Sequence, residues 1–454
     1  MKIDTSIYKA YDIRGIYPDQ LNEEVAYRTG RAYAALIQSE NKGKALNIVV
    51  GNDMRTSGPQ LKKNLIKGLV DSGVNVIDID LASTPTFYFA VAFYKHDGGV
   101  QVSASHNPKQ YNGFKLTRAR AVPISGDTGM EEIKKMVVKN QFKSVTKKGA
   151  VTQKTGVLED LIKDQTQTID LKSIKPFKIV VDAANAMGLL DIKAMFKNLP
   201  CKLVKLNFKL DGTFPSHEAD PFKPENLKFT QDAVLKHQVD LGISIDGDGD
   251  RYFFVDEKGQ PIRQEILRGI MAQLALKEHP GAIVCYDIRP GRITKDMIES
   301  VGGKSEITRV GHSLIKEHMI KVNAIFGGES SGHFFYKFDY GVFESPVIYV
   351  LKLLEFISQK NQPVSKIIKP YQIYHHSGEI NSDVKDPDAK MKELEKIYQK
   401  GGISYLDGIT ITFDSFWFNV RKSNTEPKLR LNLEAKTKKL MEQKRDEVLK
   451  IIRS

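Results

Sequence analysis

Short apolar runs alternate along the chain with stretches whose apolar positions recur every three or four residues, so strands and helices are expected to take turns. The pattern predicts strands at 47–50, 74–79 and 99–103, with helices at 59–70 and 86–94 between them. That rhythm implies a mixed or parallel sheet flanked by helices. After a Lys-rich passage at 134–154 it restarts: strands at 177–182, 202–207 and 241–245, a helix opened by Ala186-Met187-Gly188 and another around 231–237. A hairpin signal, Asp256-Glu257-Lys258-Gly259, precedes a third round with strands at 283–287, 306–309 and 324–327 and helices from Arg292 and Ser313. Beyond Lys369-Pro370 the pattern changes to strands around 378–381, 408–413 and 417–421 with helices at 388–400 and 437–452. The reading is α/β: three related mixed-sheet domains (1–150, 151–256, 257–368) and a C-terminal α+β domain (369–454).

Composition narrows the class. A chain of 454 residues exceeds what one core supports. With 41% hydrophobic and 27% charged residues it reads as globular. Met1-Lys2-Ile3-Asp4 is not followed by an apolar signal segment and no stretch reads as a membrane span, so a cytoplasmic protein without a membrane partner is expected. Cys201 and Cys285 fall in separate apolar stretches and are expected as buried thiols, not a disulfide. The net charge of +13 raises the question of nucleic acid. The lysines, however, are spread over helix faces (Lys62, Lys63, Lys67; Lys436, Lys438, Lys439) without an aromatic stacking platform. Solvated faces and a cationic cleft for small anions account better for the charge.

Four polar clusters stand out against this background. Val102-Ser103-Ala104-Ser105-His106-Asn107-Pro108 ends an apolar strand in a turn that offers a hydroxyl and an imidazole, and Asn112-Gly113-Phe114-Lys115 returns with a cation. A serine hydroxyl needs a base, a metal or local positive charge to act as a nucleophile. Asp246-Gly247-Asp248-Gly249-Asp250-Arg251 places three carboxylates at alternate positions, suited to one hard divalent cation, with a guanidinium beside them. Glu257 is spaced as in an EF-hand loop, but Arg251 and the run Tyr252-Phe253-Phe254-Val255 fall inside that loop and the flanks read as strands. Gly327-Gly328-Glu329-Ser330-Ser331-Gly332-His333 offers groups suited to sugar hydroxyls. Arg421-Lys422-Ser423-Asn424-Thr425-Glu426-Pro427, with Arg430 beyond it, suits a dianion.

In this order the clusters resemble the α-D-phosphohexomutase family, on the side of its bacterial phosphomannomutase/phosphoglucomutase branch. The resemblance starts at Lys9-Ala10-Tyr11-Asp12-Ile13-Arg14-Gly15, passes through Phe214-Pro215-Ser216-His217, Pro224-Glu225-Asn226-Leu227 and Val310-Gly311-His312-Ser313, and ends at Arg430-Leu431-Asn432-Leu433-Glu434. It implies four domains around a central cleft, each lending one loop. It implies a mutase that interconverts hexose 1-phosphate and hexose 6-phosphate, of mannose or glucose, through a phosphoserine at Ser105 and a 1,6-bisphosphate intermediate. Mg²⁺ is then expected on Asp246, Asp248, Asp250 and the Ser105 phosphate. Arg14, Lys115 and Arg251 would surround the transferring group, and His106, His312 and His333 are the candidate proton carriers, with His333 ranked first. Tyr11, Arg289, Glu329, Ser331, Arg421, Ser423, Asn424, Thr425 and Arg430 would hold the phosphosugar. Two positions depart from the family pattern: Arg289 where relatives carry lysine, and Tyr340 where they often carry a second aspartate. A phosphoglucosamine mutase is disfavoured by Ser423-Asn424-Thr425, and a non-catalytic sugar-phosphate binder would need neither nucleophile nor metal site. A monomer or homodimer is expected.

Overall fold

Strand order sets where the polar loops emerge in the computed structural model, which describes residues 3–422 and 428–454. Internal packing divides the chain into two units. The first joins residues up to Ile262 with Ser331–Ile367, and the second joins Arg263–Ser330 with Ile368–Ser454.

In the first unit a six-stranded mixed sheet runs Ile13–Ile16, Tyr111–Arg118, Gly98–Val102, Asn47–Asn52, Asn75–Leu81, Val151–Gln153. Gly98–Val102 lies parallel to Asn47–Asn52 and antiparallel to Tyr111–Arg118, so the chain leaves the sheet after Val102 and re-enters beside it. Residues 103–110 are that excursion. Helix Glu23–Glu40, capped by the Asn22 side chain, packs on helix Gly58–Val70 through glycines. A Cβ at Gly30 would lie 2.4 Å from Leu65 O, and one at Gly68 would lie 2.2 Å from Tyr27 O. A four-stranded sheet follows, ordered Tyr252–Asp256, Leu241–Ile245, Lys178–Asp182, Lys202–Leu206. Its first two strands are antiparallel, which forces the acidic residues 246–251 into the tight connection between them. The unit is completed by the hairpin Phe334–Phe338/Gly341–Glu344 and helix Pro346–Lys360, whose start is capped by Ser345 and whose Tyr349 packs edge-on against Tyr252, Phe254 and Phe334.

The second unit contains three parallel strands, with Ile283–Asp287 between Lys304–Thr308 and Phe326–Gly328. Its other part is a five-stranded antiparallel sheet ordered His375–Asp383, Lys428–Ala435, Phe416–Lys422, Ile409–Thr412, Gly402–Ser404. Helices Pro387–Ile397 and Lys438–Arg453 close its core over Leu394, Ile411, Phe418, Leu431 and Val448. Three α/β layers and a C-terminal antiparallel layer match the fold class read from the sequence.

Several local expectations need correction. The Lys-rich passage 134–154 holds the end of helix Met130–Lys139 and the exposed edge strand Val151–Gln153, neither of which the apolar pattern marks. The turn at 256–259 folds the chain back antiparallel through the bridge Val255 to Pro261 and the bonds Asp256 N to Gln260 O and Ile262 N to Phe254 O, but no full second strand follows. The helix expected around 231–237 starts a full turn and more earlier, at Pro224, where proline needs no amide partner. Cys285 is buried, but Cys201 is only half-buried, because it precedes strand Lys202–Leu206 and turns its thiol toward Lys175 O at 3.7 Å. Tyr340 packs with Phe89, Phe93 and Phe338 and hydrogen-bonds Asp164, a packing role within the first unit. Among the described residues no helix is long and apolar enough to cross a membrane.

Candidate active site

Ser105 occupies a left-handed backbone conformation, φ 51°, in a buried turn. The Ser103 hydroxyl accepts from its amide at 2.9 Å and anchors the turn to the strand end. Its own hydroxyl lies 3.2 Å from Asp246 Oδ2 and 3.2 Å from His106 Nδ1. Burial holds His106 well below the usual histidine range, and the Arg251 and Arg14 cations add to this, so the ring beside the serine is neutral. Arg14 reaches the same loop, donating to Asn107 Oδ1 at 2.6 Å while Asp12 pairs with its Nε at 2.7 Å.

The three aspartates converge from the connection between their two strands. Gly249 supplies its turn at φ 77°, and Gly247 lets the chain approach Ser105. Asp246, Asp248 and Asp250 are fully buried, with oxygens within 4.8 Å of one another. Asp246 pairs with Arg251 at 2.9 Å and also accepts from the amides of Asp250 and Arg251. Burial pushes its carboxyl up to about 8. Burial also opposes ionisation of Asp248, but the Lys115 ammonium at 2.5 Å prevails and holds that carboxyl well below the usual range. Lys115 bridges to Asp250 at 2.9 Å, and Thr84 hydrogen-bonds Asp248 from the start of helix Thr84–Phe93. Asp248 Oδ1 and Asp250 Oδ1 are buried and accept no hydrogen bond from the described residues. Three close carboxylates with inward-facing oxygens fit a divalent cation. His333 faces this cluster, 3.7 Å from Asp250 and 3.4 Å from Glu344, with its ring stacked on Phe335.

The remaining expected residues fall mostly in the second unit. Arg289 pairs with Asp287 at 2.5 Å and Glu329 at 3.0 Å. Asp287 also accepts from the buried Arg268 at 2.8 Å and from the Ser330 hydroxyl at 2.7 Å. Arg421 and Arg430 are cross-strand neighbours, and both meet Glu379, at 2.7 and 3.5 Å. Burial opposes the charge of Glu379, yet Arg421 keeps its carboxyl below the ordinary value. His312 opens helix His312–Val322. In the first unit, Tyr11 is half-buried just before strand Ile13–Ile16, and Ser331 precedes His333. Ser423, Asn424 and Thr425 lie outside the described residues.

Sequence reading missed Arg55, Thr84, Arg268, Asp287, Glu344 and Glu379. Only Asp287 carried a local signal, an acid ending an apolar strand two residues before Arg289.

Comparisons with known proteins match the chain from end to end. Models of phosphoglucomutase/phosphomannomutase α/β/α domains I, II and III match residues 5–144, 159–259 and 265–374, and the C-terminal domain model matches 379–451. A phosphomannomutase of Vibrio cholerae serotype O1 is 38% identical over 99% of both chains. One of Methanocaldococcus jannaschii is 39% identical over 99% of this chain and 98% of its own. The X-ray structure of a phosphoglucomutase/phosphomannomutase family protein from Burkholderia thailandensis superposes with a TM-score of 0.90 at 31% identity, covering 99% of this chain and 97% of that one. Matched over all four domains and by relatives of its full length, the chain belongs to the phosphoglucomutase/phosphomannomutase family.

Proposed function

We propose that this chain, a hexose phosphate mutase, carries the migrating phosphoryl group on Ser105 and interconverts the 1- and 6-phosphates of mannose or glucose. The observation that carries the reading is the Ser105 hydroxyl, buried and held 3.2 Å from both an aspartate of the acidic triad and a neutral imidazole. Asp246, Asp248, Asp250 and a Ser105 phosphate oxygen would hold Mg²⁺, which supplies charge neutralisation to a phosphoryl group in transfer.

Phosphorylated Ser105 gives its phosphoryl group to the free hydroxyl of a bound hexose monophosphate. The resulting 1,6-bisphosphate reorients, and its other phosphoryl group returns to the serine. The serine oxygen takes up a proton as it leaves in the first transfer and gives it up in the return, with His106 Nδ1 at 3.2 Å as the candidate partner for both movements. His333, with Glu344 and Asp250 around it, is the candidate for the proton of the sugar hydroxyl, and His312 is a further one. Lys115, Arg251 and Arg14 provide fixed positive charge where the equatorial oxygens pass, at no reorganisation cost. In the second unit Arg421 and Arg430, with Ser423, Asn424 and Thr425, grip the phosphate that is not reacting. Glu329, Ser331, Arg289 and Tyr11 address the sugar hydroxyls and the remaining charge. The domain limits we assign to these loops are 1–150, 151–256, 257–368 and 369–454.

Intact-mass measurement of fresh protein tests the reading. A fraction heavier by one phosphoryl group, mapped to Ser105, is expected. Ser105→Ala should lose most turnover with both phosphosugars while its circular-dichroism spectrum is unchanged. A variant with near-normal activity would remove the covalent mechanism.

A further inference from the structure

The left-handed turn at Ser105 is not kept in place by strand or helix hydrogen bonds; a guanidinium does much of that work. Arg55 is buried to 1% exposure, 50 residues before the serine in sequence. Its Nη2 donates to Ser105 O at 2.7 Å and Asn107 O at 2.5 Å, and its Nη1 donates to Pro108 O and Tyr111 O, both at 2.9 Å. The guanidinium carbon lies 5.2 Å from the Phe214 ring centroid, and Nε faces Asp53 at 3.3 Å. Asp53 is itself tied to the strand end, its amide donating to Val102 O at 3.0 Å. From the other side, a Cβ on Gly247 of the acidic loop would lie 2.2 Å from Ser105 O. The Ser105 carbonyl is therefore fixed between a guanidinium and the backbone that carries Asp246.

We propose that Arg55 is a positioning residue for phosphoryl transfer, its guanidinium clamping the backbone of the Ser105 loop so that the serine oxygen stays aligned with the acidic triad. A non-glycine residue at positive φ persists only where its surroundings over-determine it. Four carbonyl acceptors on one planar fork meet that condition. Lysine cannot reproduce it, because its ammonium is a point charge with three donors and no plane to lay on Phe214. Of the Ser105 loop Arg55 touches backbone only, so its effect on the reaction passes through the position of Ser105. A displacement of the reacting oxygen of about 1 Å is enough to cost two orders of magnitude in rate.

The inference rests on Ser105 being the phosphoryl carrier, so Ser105→Ala is run beside Arg55→Lys and Gly247→Ala in the full chain. Turnover of mannose 1-phosphate is measured, together with the rate at which glucose 1,6-bisphosphate phosphorylates Ser105, read by intact mass. For Arg55→Lys and Gly247→Ala, kcat and the phosphorylation rate should fall about a hundredfold. KM should stay within about threefold, since the residues assigned to grip the phosphosugar are untouched. Wild-type kcat in Arg55→Lys, or a loss confined to KM, overturns the inference. Should Arg55→Lys fail to fold, unchanged kcat in Gly247→Ala overturns it instead. An active Ser105→Ala would mean that the phosphoserine reading itself has failed. An inactive one beside fully active Arg55→Lys and Gly247→Ala would mean that only the role of Arg55 has.

Discussion

Asp191 shows how much a single side chain can say that its sequence neighbourhood does not. It lies on helix Gly188–Met195, fully enclosed, accepting from the Ser83 hydroxyl at 3.1 Å, and burial pushes its carboxyl up to about 7. The folded chain therefore keeps this proton between pH 4 and 7, where the unfolded chain has lost it. Protons bound in the native state exceed those in the unfolded state, so stability falls as pH rises. The contribution is whole below the ordinary carboxylate value and gone above the folded one. Integrated over that window it is on the order of 4 kcal/mol. Asp191→Asn should flatten the pH profile: thermal melts at pH 5 and pH 8 should converge, with the variant more stable than the parent at pH 8. Parallel wild-type and variant profiles would show that Asp191 ionises freely in the fold. Residues of this kind are hard to read from sequence. Ser105, Asp246, Asp248 and Asp250 sit in clusters of unusual composition, so their chemistry is visible locally. Arg55, Asp191 and Glu379 sit in ordinary stretches, and the partners that tie them into the site region lie 42 to 108 residues away.

At the scale of elements, the acidic loop is shaped by what precedes and follows it. Leu241–Ile245 and Tyr252–Asp256 were legible as apolar runs, yet their antiparallel pairing, which throws the aspartates together, was not stated by either run alone. The start of helix Thr84–Phe93 completes the arrangement. Ser83 caps it, Pro85 pre-sets its first turn, and Thr84 meets the loop twice, its amide donating to Asp248 O at 2.9 Å and its hydroxyl bonding the Asp248 side chain. Partners behind a metal ligand orient it, and losing one typically weakens metal binding tenfold or more. Thr84→Val keeps the shape and removes the hydroxyl. The Mg²⁺ concentration giving half-maximal activity should rise about tenfold, with little change at saturating metal. A chelator titration is the complementary measurement: activity should vanish and return with Mg²⁺ while the melting temperature hardly moves. If chelation instead unfolded the protein, the triad would be a structural site. The sequence pattern lost elements where periodicity is absent. Val151–Gln153 is wholly exposed, so no apolar alternation marks it, and its strand character comes only from pairing with Asn75–Leu81.

Across the whole molecule the proposed labour is divided largely by unit, Tyr11 and Ser331 being sugar-side residues that belong to the first. Ser105, the acidic triad, Lys115, Arg251 and His333 belong to one, while Arg289, Glu329, Arg421 and Arg430 belong to the other. Substitutions in the first should register mainly in kcat and those in the second mainly in KM. Arg421 gives the sharpest case. It stands directly across the strand pair from Arg430, a like-charge arrangement that is unfavourable unless a counter-charge intervenes, and Glu379 is that counter-charge. A phosphate dianion can take over the role, because guanidinium bonds bidentately to either anion. The proposed grip is on phosphate oxygens and not on the ring, so it should not discriminate between the carbons that bear the group. The proposed cycle needs that indifference, since in it the same bisphosphate is held in two successive orientations. Arg421→Ala should weaken hexose 1-phosphate and hexose 6-phosphate alike, by roughly 2 kcal/mol or more, with KM up about thirtyfold for both. It should also let bisphosphate escape, measurable as its accumulation in solution during turnover. Weakened binding of only one isomer would show that Arg421 serves a single orientation, and reorientation against a shared phosphate grip would have to be abandoned.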